Sequence, residues 1–155
     1  MGRTVRSKIL IVEDNPDHVE MIRTALMDLI PSDKIYTVNH GEDAINFLYR
    51  QGEYEDKKIS PRPSLILLDL KLPRMDGFEV LMQIKSDEHL RSIPVILLST
   101  SVDRCEIIRG YQYGANSYVT KPLKYDEFIN RIRHIHNYWS QTNTLPLLEN
   151  NGYTV

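Results

Sequence analysis

A single cysteine, Cys105, in 155 residues rules out a disulfide framework and a cysteine-built zinc cluster. No uninterrupted apolar run approaches the roughly 18 residues that span a bilayer. Met1 to Ser7 is polar and basic, with no apolar stretch behind it of the kind a signal peptide carries. These absences predict a soluble, cytoplasmic protein with no membrane partner. Neither sign of charge dominates: 19 Lys and Arg face 21 Asp and Glu, for a net charge of -2. A broad nucleic-acid footprint is therefore excluded. Charged residues at 26% also argue against disorder. There is no internal repeat and no low-complexity segment, and the length suits one domain with a proper core.

What the chain does have is a stretch in which four apolar residues, Leu65 to Leu68, run straight into Asp69. A short, non-alternating apolar run reads as a strand buried on both faces. Pro73 and then Asp76-Gly77 turn the chain, leaving Asp69 at the strand's carboxyl end. In open α/β sheets that end is where ligands bind. A carboxylate there is costly unless a cation meets it.

The remaining elements repeat one pattern. Strands are predicted over Lys8 to Val12, Lys34 to Val38, Pro94 to Leu98 and Ser117 to Thr120. Helices follow from Pro16, capped by Asn15; over Gly41 to Tyr49; over Phe78 to Lys85; over Asp103 to Tyr113, closed by Gly114; and from Tyr125 to about Ser140. Gln51 to Pro63, with Gly52, then five charged residues over Glu53 to Lys58, then Pro61 and Pro63, reads as a long exposed loop. Five strand-helix units imply βαβ crossovers and a parallel sheet covered on both faces. The expected division is an N-terminal segment 1–7, one domain over 8–140, and a tail over 141–155.

Parallel strands bring Glu13-Asp14, Asp69, Ser99-Thr100 and Lys121 to one rim. Carboxylates on neighbouring strand ends repel, and a hard divalent cation resolves the conflict. Mg²⁺ takes one or two carboxylates together with phosphate oxygens. Lys121 adds an ammonium and Ser99 a hydroxyl donor. The set forms a clamp for a phosphoryl group on Asp69, since a carboxylate can act as the nucleophile in phosphoryl transfer. Each feature alone has an ordinary explanation: a solvated strand end for Glu13-Asp14, a surface loop for Lys121-Pro122, a helix cap for Ser99. Their joint placement at the ends of separate strands argues for a site.

On these residues the chain resembles the receiver domain of two-component response regulators. The resemblance runs from Lys8 to about Trp139 and rests on Glu13-Asp14, on Leu67 to Gly77, on Pro94 to Ser99 and on Tyr118 to Pro122. It implies a flavodoxin-like fold with strand order 2-1-3-4-5, an order general principles already associate with this family. It also implies roles. Asp69 matches the phosphoacceptor. Asp14 matches the acidic Mg²⁺ ligand, with Glu13, where many relatives carry Asp, binding through water. Asp69 and the backbone carbonyl of Lys71 complete the metal set. Lys121 contacts the phosphoryl group, and Ser99 and Tyr118 form the switch. The partner implied is a sensor histidine kinase, with activity limited to self-phosphotransfer and autodephosphorylation. Gln51 to Tyr54, Ser99 to Ser101, Ala115 to Tyr118, and Tyr138-Trp139 followed by Leu145-Pro146 are similar to small regulators that serve phytochrome kinases.

Four further expectations follow. The surface of the fourth helix, fifth strand and fifth helix should carry the signal, with Tyr118 changing rotamer. A homodimer is expected there, with Tyr111, Tyr113 and Tyr138 near the interface and Leu145, Leu147 and Leu148 available to pack across it. Lys71 should cover the phosphoryl group and slow its hydrolysis. His18, His40 and His89 read as isolated, while Arg131, Arg133 and His134 read as a solvated face. Two other readings stay open: a phosphorelay intermediate for another kinase, and an aspartate-nucleophile phosphohydrolase, although the latter needs a second acid where Lys71 stands. The downstream target, an unknown protein, is not legible.

Overall fold

The computed structural model describes residues 7–146, and beyond them the backbone of two short strands. Its elements in order are β1 (Ile9–Val12), α1 (Pro16–Met27), β2 (Ile35–Val38), α2 (Gly41–Tyr49), β3 (Leu65–Asp69), α3 (Gly77–Ser86), β4 (Val95–Ser99), α4 (Arg104–Gln112), β5 (Ser117–Thr120) and α5 (Tyr125–His136). The five strands pair in parallel in the order β2-β1-β3-β4-β5. This is the flavodoxin-like doubly wound architecture.

The unbroken apolar runs are explained by the two faces of the sheet. Successive strand residues point to opposite sides, and here both sides are covered. Leu10, Val12, Ile66, Leu68 and Leu97 meet Leu48 of α2 and Leu81 and Ile84 of α3. Ile9, Ile11, Leu65, Leu67 and Ile96 meet Ile22 and Leu26 of α1 and Phe128 and Ile132 of α5. Every residue of β1, β3 and β4 is buried, whereas β5, at the edge, is only half-buried along its length.

Local chemistry sets the turns that matter for the rim. Asn15 caps α1, its side chain accepting from the backbone N–H groups of Asp17 and His18, with Pro16 at the first helical position. Asp76 caps α3 in a reciprocal box with Glu79: each side chain accepts the other's backbone N–H, at 3.0 and 3.3 Å. Gly77 donates its N–H to Leu70 O at 2.9 Å. A Cβ on Gly77 would collide with the backbone of Asp69 and Leu70. This glycine thus lets α3 start directly against the end of β3.

Three segments differ from, or add to, what the sequence predicts. The 51–63 connection is exposed only in its first part. Ser60, Pro61 and Pro63 are buried, because Ser60 Oγ donates to Tyr54 O, Arg50 Nε donates to Ser60 O at 3.0 Å and Arg62 donates to Leu48 O at 2.8 Å. The regular part of the last helix ends at His136 and gives way to a π-helical segment over Asn137–Thr142. Within the 141–155 tail, Leu148–Glu149 and Gly152–Tyr153 pair as two short antiparallel strands. The side chains of Leu147 and Leu148 lie outside the described residues.

Candidate functional site: a buried ammonium among carboxylates at the sheet rim

The parallel topology delivers the expected residues to one corner. Glu13 and Asp14 follow β1, Asp69 ends β3, Ser99 ends β4 and Lys121 follows β5. Two backbone hydrogen bonds carry the ladder one residue past the strands: Glu13 N to Val38 O at 3.1 Å and Lys121 N to Ser99 O at 2.7 Å. Glu13 and Ser99 are 1% exposed, Asp69 5% and Lys121 8%. Charged residues are almost never buried to this degree unless paired. Asp14, by contrast, is exposed.

The pairing is direct. Lys121 Nζ donates to Glu13 Oε1 at 2.6 Å and to Asp69 Oδ1 at 3.2 Å. The other Glu13 oxygen accepts the backbone N–H of Asn15 at 3.2 Å. Burial pushes the Asp69 carboxyl up to about 6; Lys121 pulls it down and the neighbouring Glu13 adds to the rise. One ammonium therefore only partly compensates two buried carboxylates. The remaining deficit of positive charge is what a divalent cation would fill. Ligand oxygens of Glu13, Asp14 and Asp69 lie within 4.8 Å of one another, an all-oxygen set of the kind hard cations prefer. The donor set fits a divalent metal. Lys71 lies two residues past Asp69 with its side chain exposed.

A residue that the sequence reading set aside as isolated belongs to this corner. His18 Nδ1 stands 3.1 Å from Lys121 Nζ and 3.8 Å from Glu13 Oε1. Its ring packs against Phe128 of α5 at a centroid distance of 5.6 Å. Burial, then the adjacent ammonium, lowers its pKa below the ordinary histidine value. The only hint in the sequence was position: His18 falls in the first turn of the helix that leaves the Glu13-Asp14 pair.

Hydrogen bonds link Ser99 to Tyr118 through Ser101. Ser99 Oγ accepts the Ser101 N–H at 3.1 Å, and the Tyr118 hydroxyl donates to Ser101 O at 3.0 Å. The half-buried Tyr118 ring lies beside Gly110 of α4, where a Cβ would press on Leu97 at 2.7 Å and on the tyrosine at 3.4 Å. On the outer side, Tyr118, Val119, Arg131, Ile135, Tyr138 and Trp139 line an open groove of about 480 Å³.

Two surface readings change. Tyr113 is not on that face: it meets Phe78 edge-on at 5.9 Å, with the Arg109 guanidinium 4.2 Å over the Phe78 ring. Arg131 and Arg133 are not merely solvated, since Arg131 donates to Thr120 O at 3.0 Å and Arg133 to Asp28 at 2.7 Å.

A five-stranded parallel sheet in this order, with paired acids, an aspartate and a lysine at its rim, is a doubly wound α/β fold with a carboxylate-lined corner that suits a cation. Residues 9–133 match the response regulator receiver domain family, and the chain belongs to it. It is 38% identical over 138 residues to the response regulator Rcp1 of Synechocystis sp., spanning 89% of this chain and 92% of that protein. The structure of the phosphorylated cyanobacterial phytochrome response regulator RcpA is similar at a TM-score of 0.85 and 40% identity, covering 90% of this chain and 98% of that one. The Mn²⁺-bound form of Rcp1 matches at 0.83 and 38%, covering 90% and 99%. Among the described residues no helix is long and apolar enough to cross a membrane.

Proposed function

We propose that the protein accepts a phosphoryl group from a sensor histidine kinase onto Asp69 in a Mg²⁺-dependent reaction. The observation that carries this reading is the buried Asp69 carboxylate, within 3.2 Å of the Lys121 ammonium and beside the Glu13-Asp14 pair. Phytochrome is the kinase class favoured by the similar protein RcpA, a cyanobacterial phytochrome response regulator. In the transfer, an Asp69 carboxylate oxygen forms the new P–O bond. The P–N bond to the donor histidine breaks, and its electron pair stays on the imidazole nitrogen.

The chain's own residues position and neutralise. Lys121 gives one of its N–H groups to a phosphoryl oxygen. The Ser99 hydroxyl, whose oxygen already accepts from Ser101, still has its own proton to donate. Glu13, Asp14, Asp69 and the Lys71 carbonyl would hold Mg²⁺, which supplies neutralisation of the phosphoryl charge when bound. Activity beyond self-phosphotransfer and autodephosphorylation is not part of this reading.

Output would follow from the Ser99-Ser101-Tyr118 chain. A phosphoryl group adds charge and acceptor oxygens at Asp69. Drawing the Ser99 hydroxyl toward it disturbs the Ser101 backbone that Tyr118 holds. The surface of α4, β5 and α5 then changes shape, a bistable element biased by a local charge event. The exposed Tyr138 and half-buried Trp139 on this surface suit a symmetric homodimer or a downstream protein partner in the cytoplasm. In this reading 8–140 is the receiver and 141–155 an adjunct to the dimer.

Incubation with phosphorylated kinases, phytochromes included, tests the proposal. Label should reach the wild-type protein and not Asp69→Asn; label at full level on Asp69→Asn would refute it. For the switch, Tyr118 NMR signals should move on adding beryllofluoride with Mg²⁺, and sedimentation at tens of micromolar reads the dimer.

A further inference from the structure

Lys121 is held by three groups, and only one of them stands outside the proposed chemistry. The ammonium reaches Glu13 Oε1 at 2.6 Å, Asp69 Oδ1 at 3.2 Å and His18 Nδ1 at 3.1 Å. An ammonium has three N–H donors and no acceptor. His18 Nδ1 must therefore accept, and the ring proton sits on Nε2; the neighbour dictates the tautomer. The imidazole is itself well anchored. It projects from the first turn of α1, which Asn15 and Pro16 fix, and rests on Phe128 of α5. It is 26% exposed, so it forms the outer wall of the corner.

We propose that His18 is a positioning residue that tethers the Lys121 ammonium while the site is loaded. The inference rests on Asp69 being the phosphoacceptor. In the resting protein two carboxylates hold the ammonium alongside the imidazole. Phosphorylation converts the Asp69 carboxylate into an acyl phosphate whose negative charge sits on the outer phosphoryl oxygens, and Glu13 belongs to the acid cluster that a cation would draw on. Both carboxylate contacts of the resting Lys121 are therefore remade together. The imidazole is the one partner that neither carries the phosphoryl group nor belongs to the acid cluster. It keeps the ammonium beside Asp69 while another N–H turns to the new phosphoryl oxygen. Without it, the flexible four-carbon stem of lysine has no neutral anchor and follows Glu13.

Two variants separate tether from packing. His18→Phe keeps a ring against Phe128 and removes the acceptor; His18→Gln keeps an acceptor within reach. The first measurement is the ¹⁵Nζ–¹H signal of Lys121 in metal-free protein, which requires no phosphorylation. It should shift and broaden in His18→Phe and persist in His18→Gln. The second is label incorporated from acetyl phosphate with Mg²⁺. Loss of a hydrogen bond to a charged group predicts a rate about tenfold lower in His18→Phe, and within about twofold of wild type in His18→Gln. The proposal is overturned if His18→Phe matches wild type in both measurements, or if His18→Gln falls as far as His18→Phe, which would mark a packing role alone. If the Lys121 signal responds as expected but wild type takes no label, the tether is supported and the assignment of Asp69 fails instead.

Discussion

Lys121 is buried and Lys85 half-buried, and their surroundings are opposites. Lys121 sits at the carboxyl rim between two carboxylates and an imidazole. Lys85, near the end of α3, meets only neutral oxygens: Arg91 O at 2.9 Å, Ile93 O at 2.8 Å and Asn116 Oδ1 at 3.0 Å. Burial with no counter-charge lowers the Lys85 ammonium to about 8. Asn116 Oδ1 also accepts Val95 N–H at 2.9 Å, so this one cluster ties α3 to the starts of β4 and β5. Main-chain carbonyls cannot be exchanged or modified, so Lys85 can only hold a shape. Two of the three partners of Lys121 are carboxylates that a cation or a phosphoryl group can draw away. The difference teaches where function is able to sit: at the ammonium whose partners are replaceable.

The contrast is sharpest in phosphoryl transfer. Lys121→Met should lower incorporation of label from acetyl phosphate at least about a hundredfold, the scale of losing a preorganised donor at a developing charge. Lys85→Met should leave incorporation per folded molecule unchanged. Equal losses in the two variants would break the comparison.

Stability should invert the ranking. Lys85→Met removes the donor from the Arg91 and Ile93 carbonyls and leaves Asn116 only its Val95 N–H bond, and urea unfolding should show a loss of about 2–3 kcal/mol. Asp69→Asn should instead stabilise the metal-free protein. The Asp69 carboxyl titrates near 6 in the fold against 3.8 as its ordinary value. Between those values the folded state binds more protons than the unfolded chain, so its contribution is full below pH 4 and is lost as pH rises through 6. The asparagine variant escapes that loss, gaining about 1–3 kcal/mol at pH 8 and nothing at pH 4. Added divalent cation should favour wild type and narrow the gap. If Asp69→Asn is less stable than wild type at pH 8 without metal, Asp69 is not strained by its burial.

The smallest effect belongs to a third lysine. Lys71 is at the same rim as Lys121 but exposed. If its stem shields the phosphoryl group, Lys71→Ala should shorten the aspartyl-phosphate lifetime a few-fold, read as the decay of label after the donor is removed. An unchanged lifetime removes that role.

Most of the fold was legible because each cue was local. Unbroken runs such as Leu65 to Leu68 announced strands covered on two faces. Asn15-Pro16 and Asp76-Gly77 announced where helices begin. The gathering of Glu13, Asp69, Ser99 and Lys121 followed from parallel topology alone. Several of the misses turned on partners outside the stretch itself. Ser60 to Pro63 looked like solvent-exposed loop because its anchors, Arg50 and the Leu48 carbonyl, lie on another element. Tyr113 looked like an interface residue because nothing in its neighbourhood names Phe78. His18 looked isolated because its partner stands 103 residues away.

The sequence by itself determined the alternation of strand and helix, and with it which side chains arrive at the carboxyl rim, because periodicity and turn chemistry act over a few residues. Only the tertiary structure decided how the Lys121 ammonium divides its three donors. That division depends on the packing of α1 against α5 and on the height at which β5 ends, across β4, relative to β3, quantities that no short stretch of chain encodes.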